Sequence, residues 1–476
     1  MPPTRTSRPR PERRSRPNPI HGSTPTGSVR PERSERPARP ARPERPERPE
    51  RPERTPREDG ERRGNHPAPK RPLASDRAVP DLEPITVTID RIVGDGKGIG
   101  FIDGRTVFVG RTAPGDVVRA RIMRKQGKVL HADILEILTP SQVRVEPRVE
   151  DFYASGGLDL QHIAYGDQLT VKAGIIEDSL RRIAKLDPMP EVTVSPSPQE
   201  WGYRSRAEFQ IDRPNKAIGY FAAQSHRVVD VEESPILTPE VQMLLTTLRD
   251  DVAAGLVPAA AREYRAVQGD FGSVLEPTAT VRSKLVMRTV GDELFRFTAE
   301  CFFQANIPVA EQIMQRVIAI ADEAKAEPGL ALDLYCGVGL FTVPLARRFK
   351  RTIGVESHPA ATKYAEENLE HAEQTKARIV TSPVERWVGG DRSPLGKVAL
   401  VVFDPPRTGA GPEVISAIVK MKPAHIAAVS CDPATFARDI RGLLDGGYEL
   451  VDVQGYDMFP QTHHVELVGH LRRIDV

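Results

Sequence analysis

The chain has 476 residues, with 67 lysines and arginines against 65 acidic residues, a formal net charge of +2. That near-neutral sum hides a partition, because residues 1–83 carry 21 basic and 13 acidic side chains and the remainder is net acidic. No run of about eighteen apolar residues could span a membrane, and three cysteines are too few for a disulfide framework or a four-cysteine metal site. The Pro/Arg/Glu-rich N-terminus has no apolar stretch of the kind a secretory signal needs. A cytoplasmic protein with free thiols is expected.

Residues 1–83 take 19 of the 44 prolines and contain no Phe, Tyr or Trp. Such a segment cannot bury enough apolar surface to offset its ordering entropy, so a disordered tail is expected. An Arg-Pro-Glu repeat runs from Arg42 to Arg54. In polyproline II, with about three residues per turn, it would align an arginine stripe able to touch RNA phosphates. A solvated linker is the simpler reading.

Order is expected from Ile85. Alternation over Ile85–Ile89, glycines at 94, 96, 98 and 100, and strand-like runs at Thr106–Val109, Val117–Met123 and Val129–Leu138 suggest a small β-barrel over residues 84–141. This stretch has nine basic residues against six acidic, which suits a nucleic-acid-binding module. Residues 142–300 read as a mixed α+β segment, with a helix between Ile163 and Leu186 and strands at Ala207–Ile211 and Phe295–Thr298. From residue 301 the pattern alternates: helix Pro308–Ala326, strand Leu330–Leu334, helix Thr342–Phe349, strand Thr352–Val355, helix Pro359–Ala372, strand Val398–Phe403. Continuously apolar strands between helices imply an α/β fold with a parallel sheet covered on both faces. Ligands then sit beyond the strands' carboxyl ends.

Four constellations fall at such ends. In Leu332-Asp-Leu-Tyr-Cys-Gly-Val-Gly339, Gly337 and Gly339 form a tight turn where a ligand can approach the backbone. Glu356 follows, 23 residues after Asp333, placed to accept ribose hydroxyls. This pairing suits S-adenosylmethionine and a nicotinamide dinucleotide about equally, although Thr342 stands where the dinucleotide fingerprint has its third glycine. Phe403-Asp-Pro-Pro-Arg407 places Asp404 stiffly at a strand end, a methyltransferase cue, and Arg407 after the prolines argues against an amino-nitrogen target. Cys431, in Ser430-Cys-Asp-Pro433, ends another apolar strand and is the candidate nucleophile, whereas Cys301 and Cys336 read as packing. The loop Asp457–His464 leads into a strand from Val465 and presents His463, His464 and Glu466. Adjacent residues of a strand face opposite ways, so the two histidines do not suggest a zinc site, and no metal is expected. Glu466 is a candidate general base.

Together with Phe302-Phe-Gln-Ala-Asn306 and Trp201-Gly-Tyr-Arg-Ser-Arg-Ala-Glu-Phe209, these motifs resemble the bacterial S-adenosylmethionine-dependent RNA uracil-5-methyltransferases over residues 84–476. The resemblance implies a Rossmann-like class I methyltransferase domain over residues 301–476, a central domain over 142–300 and an OB-like TRAM RNA-binding barrel over 84–141. By the same resemblance Gln304, Tyr335, Glu356 and Asp404, with Gly337 and Gly339 in the turn, would hold S-adenosylmethionine. Cys431 would add to the base and Glu466 would remove the carbon-5 proton. A polar cofactor contact of some members falls on Leu340, and another near Pro383. Members with an iron–sulfur cluster bind it through four cysteines, whose places are taken here by Val149, Ser155, Leu158 and Ser234, so no cluster is expected. The barrel favours ribosomal over transfer RNA as substrate, and the expected state is a monomer. A non-catalytic ribosome-assembly factor of the same fold is the alternative outside the enzyme class.

Overall fold

The computed structural model describes residues 83–149, 157–222, 225–277, 285–327, 329–390 and 395–474. The expected disordered tail therefore lies outside the described residues except for Glu83, as does Ser155. Strands β1 (Ile85–Ile92), β2 (Lys97–Ile102), β3 (Arg105–Gly110), β4 (Val117–Gln126) and β5 (Val129–Thr139) close a barrel in the order β1-β2-β3-β5-β4. Alternation sends Val87, Ile89, Val107, Val109, Val118 and Leu130 into its core. Gly100 has no room for a Cβ, which would collide with the Thr88 carbonyl. On β4 the outward positions Arg119 and Arg121 lead into exposed Arg124 and Lys125, so four of the barrel's nine basic residues lie on this one strand.

Helix α1 (Tyr165–Ser179) continues into a π-helical turn, Leu180–Ala184, and β6 (Thr193–Ser195) follows. Strands β7 (Arg206–Asp212), β8 (Ala217–Phe221), β9 (Val228–Asp230), β10 (Glu263–Gly269) and β11 (Gly272–Glu276) form an antiparallel sheet ordered β11-β10-β7-β8-β9. Helix α2 (Pro239–Ala253), started by the Thr238 side chain accepting from the Val241 amide, buries Val241, Leu245 and Leu248 against that sheet. Val149 and Leu158 join the same apolar cluster. A hairpin, β12 (Leu285–Val290) and β13 (Glu293–Thr298), precedes helix α3 (Ile307–Ala324).

The remaining elements are β14 (Leu330–Leu334), α4 (Thr342–Arg348), β15 (Thr352–Glu356), α5 (Pro359–His371), β16 (Ala377–Thr381), α6 (Val384–Val388), β17 (Val398–Phe403), α7 (Gly411–Met421), β18 (His425–Ser430), α8 (Pro433–Asp445), β19 (Tyr448–Tyr456) and β20 (Glu466–Arg473). They build an eight-stranded sheet ordered β16-β15-β14-β17-β18-β20-β19-β6, in which only β20 runs against its neighbours. Every residue of β14, β17 and β18 is buried, because apolar clusters cover both faces of the sheet. The edge strand β6 and helix α1 come from the segment read in sequence as central, yet they pack with this sheet. No helix among the described residues is long and apolar enough to cross a membrane.

Candidate active site

The sheet order reverses between β14 and β17, where an open α/β sheet leaves a crevice beyond its strand ends. Here a cleft of about 350 Å³, open to solvent, is lined by Gln304, Tyr335, Gly337, Leu340, Phe341 and Asp404 among others. Leaving β14, the chain takes left-handed backbone angles at Tyr335 (φ 64°), Gly337 (φ 54°) and Gly339 (φ 95°). For a tyrosine this is strained, at about 1–3 kcal/mol. Its hydroxyl donates to Glu385 Oε1 at 3.2 Å. The Gly339 amide closes the turn on the Cys336 carbonyl at 2.8 Å.

Glu356 stands at the end of β15 but does not line the cleft wall. Its Oε2 accepts the Gly337 amide at 3.2 Å, while Oε1 accepts the amides of Ser357 and His358 at 2.6 and 2.7 Å. It braces the glycine turn and keeps lone pairs on Oε2 for a ligand. Leu340, at the place of a polar family contact, adds apolar wall. Pro383 precedes α6 as its N-cap.

Sequence reasoning passed over Asp333 as a site residue. It is fully buried on β14, accepts the Thr342 hydroxyl at 2.5 Å through Oδ2, and its Oδ1 has no partner among the described residues. Burial, then the nearby Asp404 and Glu356 carboxylates, pushes its carboxyl up to about 7, against the Thr342 hydrogen bond. Asp404 is likewise raised to about 7 by desolvation. It is half-buried and lines the cleft.

The loop bearing Gln304 is held from the central segment. Arg206 donates to the carbonyls of Cys301 at 2.5 Å and Ala299 at 2.7 Å, and the Ser205 hydroxyl donates to the Ala305 carbonyl at 2.8 Å. This is the structural work of the Trp201–Phe209 motif, which sequence spacing left unexplained.

Cys431 and Glu466 meet because β20 is antiparallel to β18. Ser430 pairs with Leu467, so the residue after β18 and the first residue of β20 share the ligand edge. Cys431 is half-buried, and desolvation, then the Glu466 and Asp404 carboxylates, pushes its thiol up to about 12, opposed by Arg407. Glu466 is buried, and desolvation together with Asp404 lifts its carboxyl to about 8, again opposed by Arg407. When Glu466 holds its proton, its part of the pressure on the thiol disappears.

The loop before Glu466 is pinned on three sides. The Lys172 ammonium, wholly buried, is paired with Asp457 and donates to the Phe459 carbonyl at 3.1 Å. Gln168 exchanges hydrogen bonds with Gln461, at 2.9 Å each, and the Tyr203 hydroxyl donates to the Pro460 carbonyl at 3.0 Å. The strand begins at Glu466, one residue later than expected, and His463 and His464 lie in the loop before it. Their rings sit side by side, centroids 4.2 Å apart, not on opposite faces as a strand would place them. His463 Nδ1 is paired with Asp159, and His464 is driven down to about 3 by burial and by His463 and Arg407.

Counting strands from β14, the order 3-2-1-4-5-7-6 with the seventh reversed and a glycine turn after the first defines a class I methyltransferase fold. The chain matches the tRNA (Uracil-5-)-methyltransferase family over residues 275–388 and 394–474, and the TRAM domain over residues 83–135. It is 30% identical to an uncharacterized RNA methyltransferase of Thermosynechococcus vestitus, over 81% of this chain and 97% of that protein. It is also 30% identical to the 23S rRNA (uracil(1939)-C(5))-methyltransferase RlmD of Pseudomonas entomophila, over 84% of this chain and 96% of that one. Among solved structures, the Pyrococcus abyssi tRNA (uracil-54, C5)-methyltransferase in complex with S-adenosyl-L-homocysteine superposes with a TM-score of 0.62. That likeness has 25% identity and covers 81% of this chain and 100% of that chain. The chain belongs to the RNA uracil-5-methyltransferase family and is an S-adenosylmethionine-dependent RNA methyltransferase.

Proposed function

We propose that the enzyme methylates carbon 5 of a uridine in 23S ribosomal RNA, through a covalent bond between Cys431 and the base. The observation that carries this reading is the placement of Cys431 and Glu466 side by side at the sheet edge, each within electrostatic reach of Asp404.

The residues of the cleft fit S-adenosylmethionine: Phe341 and Leu340 offer apolar wall, the glycine turn admits close approach, and Asp404 and buried Asp333 place carboxyl groups near a cationic ligand. Gln304, Tyr335, Gly337, Gly339, Glu356 and Asp404 are the residues that would hold it. When bound, the cofactor supplies an electrophilic sulfonium methyl group.

Carbon 5 of uracil is too weak a nucleophile by itself. The Cys431 thiolate adds to carbon 6, and the electron pair of the 5,6 double bond moves to the carbon-4 oxygen as an enolate. Carbon 5 then has the electron density to take the methyl group. Glu466 removes the carbon-5 proton, the double bond reforms and the thiolate leaves. Arg407 favours both anions, lowering the Cys431 thiol and the Glu466 carboxyl against their burial. A base in duplex must be flipped out to reach this edge, at a few kcal/mol. The exposed Arg119, Arg121, Arg124 and Lys125 of the barrel suit the phosphate backbone.

Ribosomal RNA is favoured by the relatives named as 23S rRNA enzymes. The barrel does not decide the matter, because the tRNA enzyme's match over 81% of the chain extends beyond residues 142–476 into the barrel. Neither thiols nor other ligands occupy the family's cluster positions, and Val149 and Leu158 pack in an apolar cluster, which supports an enzyme without iron and sulfur. A cytoplasmic monomer remains the expected state.

5-Fluorouridine RNA should trap the wild-type enzyme as a covalent adduct, since fluorine cannot leave as a proton, and Cys431→Ala should form none. An adduct that persists in Cys431→Ala refutes the nucleophile assignment. Labelled S-adenosylmethionine supplied with unmodified 23S and transfer RNA tests the substrate, and label confined to transfer RNA reverses it.

A further inference from the structure

The opposite end of β18 carries a second cluster. His425 is the first residue of that strand and Cys431 follows its last. On β20, His470 pairs with Ala427, so His425 and His470 project from the same face, two positions apart across the ladder. Helix α3 lies over this face and offers Glu323 from its last turn. One ligand atom from each of Glu323, His425 and His470 lies within 4.8 Å of the others.

We propose that Glu323, His425 and His470 form a binding site for a divalent transition metal with zinc-like ligand preferences. His425 Nδ1 and His470 Nε2 face each other at 3.0 Å. Two ligand atoms on a tetrahedral zinc, each about 2.0–2.1 Å from the metal, are about 3.3 Å apart. The rings therefore need to part by only a few tenths of an ångström. Glu323 is exposed and long, so its carboxylate can swing inward, and a water would take the fourth position.

Beyond the ligands, His470 Nδ1 is buried without a hydrogen bond and lies 3.9 Å from Asp452 Oδ2. Arg316 fixes that carboxylate at 2.6 and 2.7 Å. A carboxylate facing the non-ligating nitrogen is the outer-shell arrangement that sets a metal-bound histidine's tautomer. It selects Nδ1–H on His470 and leaves Nε2 as a bare lone pair facing His425. Without metal, that lone pair accepts from His425 Nδ1–H. With metal, the ion takes the place of that hydrogen, His425 carries its proton on Nε2 instead, and no net proton is released. The site staples α3 to β18 and β20, a structural role away from the reacting edge. Sequence spacing hides it, because the three ligands come from three separate elements.

The test uses the full chain, stripped with a chelator and titrated with Zn²⁺ by calorimetry and with Co²⁺ by visible absorption. Wild type should bind one equivalent more than His425→Asn, with an intense tetrahedral-type cobalt spectrum that the variant lacks. Glu323→Gln, a surface change that leaves the fold intact, should weaken that equivalent about tenfold or more. It keeps the test decisive if His425→Asn folds poorly. Other histidines and thiols contribute equally to all three proteins and cancel in the comparison. Equal stoichiometry and affinity across the three proteins, or no metal bound by wild type, would leave a hydrogen-bonded imidazole pair and overturn the proposal.

Discussion

Replacing Glu466 by glutamine tests whether the active site is assembled against the stability of the fold. An ordinary glutamate carboxyl ionises near 4.5, and in the fold burial and Asp404 raise this to about 8. Below pH 4.5 both folded and unfolded chains hold the proton, so the group's contribution is fully present. Between those values the folded state retains a proton that the unfolded chain has lost, and stability falls by about 1.36 kcal/mol per pH unit. Above pH 8 the loss is complete, at about 5 kcal/mol. Glutamine has no such dependence, and any mismatch of its buried amide adds a constant of about 1–3 kcal/mol at every pH. The stability of Glu466→Gln relative to wild type should therefore grow with pH, while turnover collapses for want of a base. Urea unfolding at a series of pH values from about 5 to 9 reads the difference directly. Parallel stability curves for the two proteins would show that the carboxyl ionises normally, and the reasoning from desolvation would be wrong.

The same geometry makes kcat in wild type rise with pH towards about 8, as Glu466 loses the proton that blocks the elimination step after methyl transfer, which a pH–rate profile at saturating RNA measures. Lys172→Met should destabilise the fold by about 3–5 kcal/mol, because it leaves Asp457 buried and unpaired, and denaturant midpoints would show it. Arg206→Lys loses the two-pronged grip on the Cys301 and Ala299 carbonyls. Cofactor KM should increase about tenfold with little change in melting temperature, as measured by steady-state kinetics and thermal unfolding. Gly96→Val places a Cβ against the Asp159 carboxylate and 2.9 Å from His463 Nδ1, at a backbone φ of 75°. A loss of about 1–3 kcal/mol and slower turnover should follow, because the same pair positions the loop before Glu466.

Much of the catalytic domain was legible in the chain itself. Apolar strands ending in Asp333, Asp404 and Cys431 announce a covered parallel sheet, since only a strand buried on both faces is apolar throughout. The barrel was legible for the complementary reason, its strands alternating because one face meets solvent. Glycines 337 and 339 marked the turn because left-handed backbone is cheap only for that residue. The relative placement of the two histidines was not legible, because the opposite-face rule holds only inside a strand and both residues precede β20, where the loop sets their directions.

What the sequence by itself determined is therefore the set of chemical groups and the ends of strands that carry them. Those signals are local, written in periodicity and in residues with unusual backbone freedom. Only the tertiary structure decided that β20 runs backwards beside β18, and so brings Glu466 to Cys431. It alone recruited β6 and α1 to the catalytic sheet, hung the Gln304 loop on Arg206, and buried the carboxyls until their proton affinities moved towards neutral pH. Each of these depends on desolvation or on pairing between residues far apart in the chain, and neither leaves a mark at short range in the sequence.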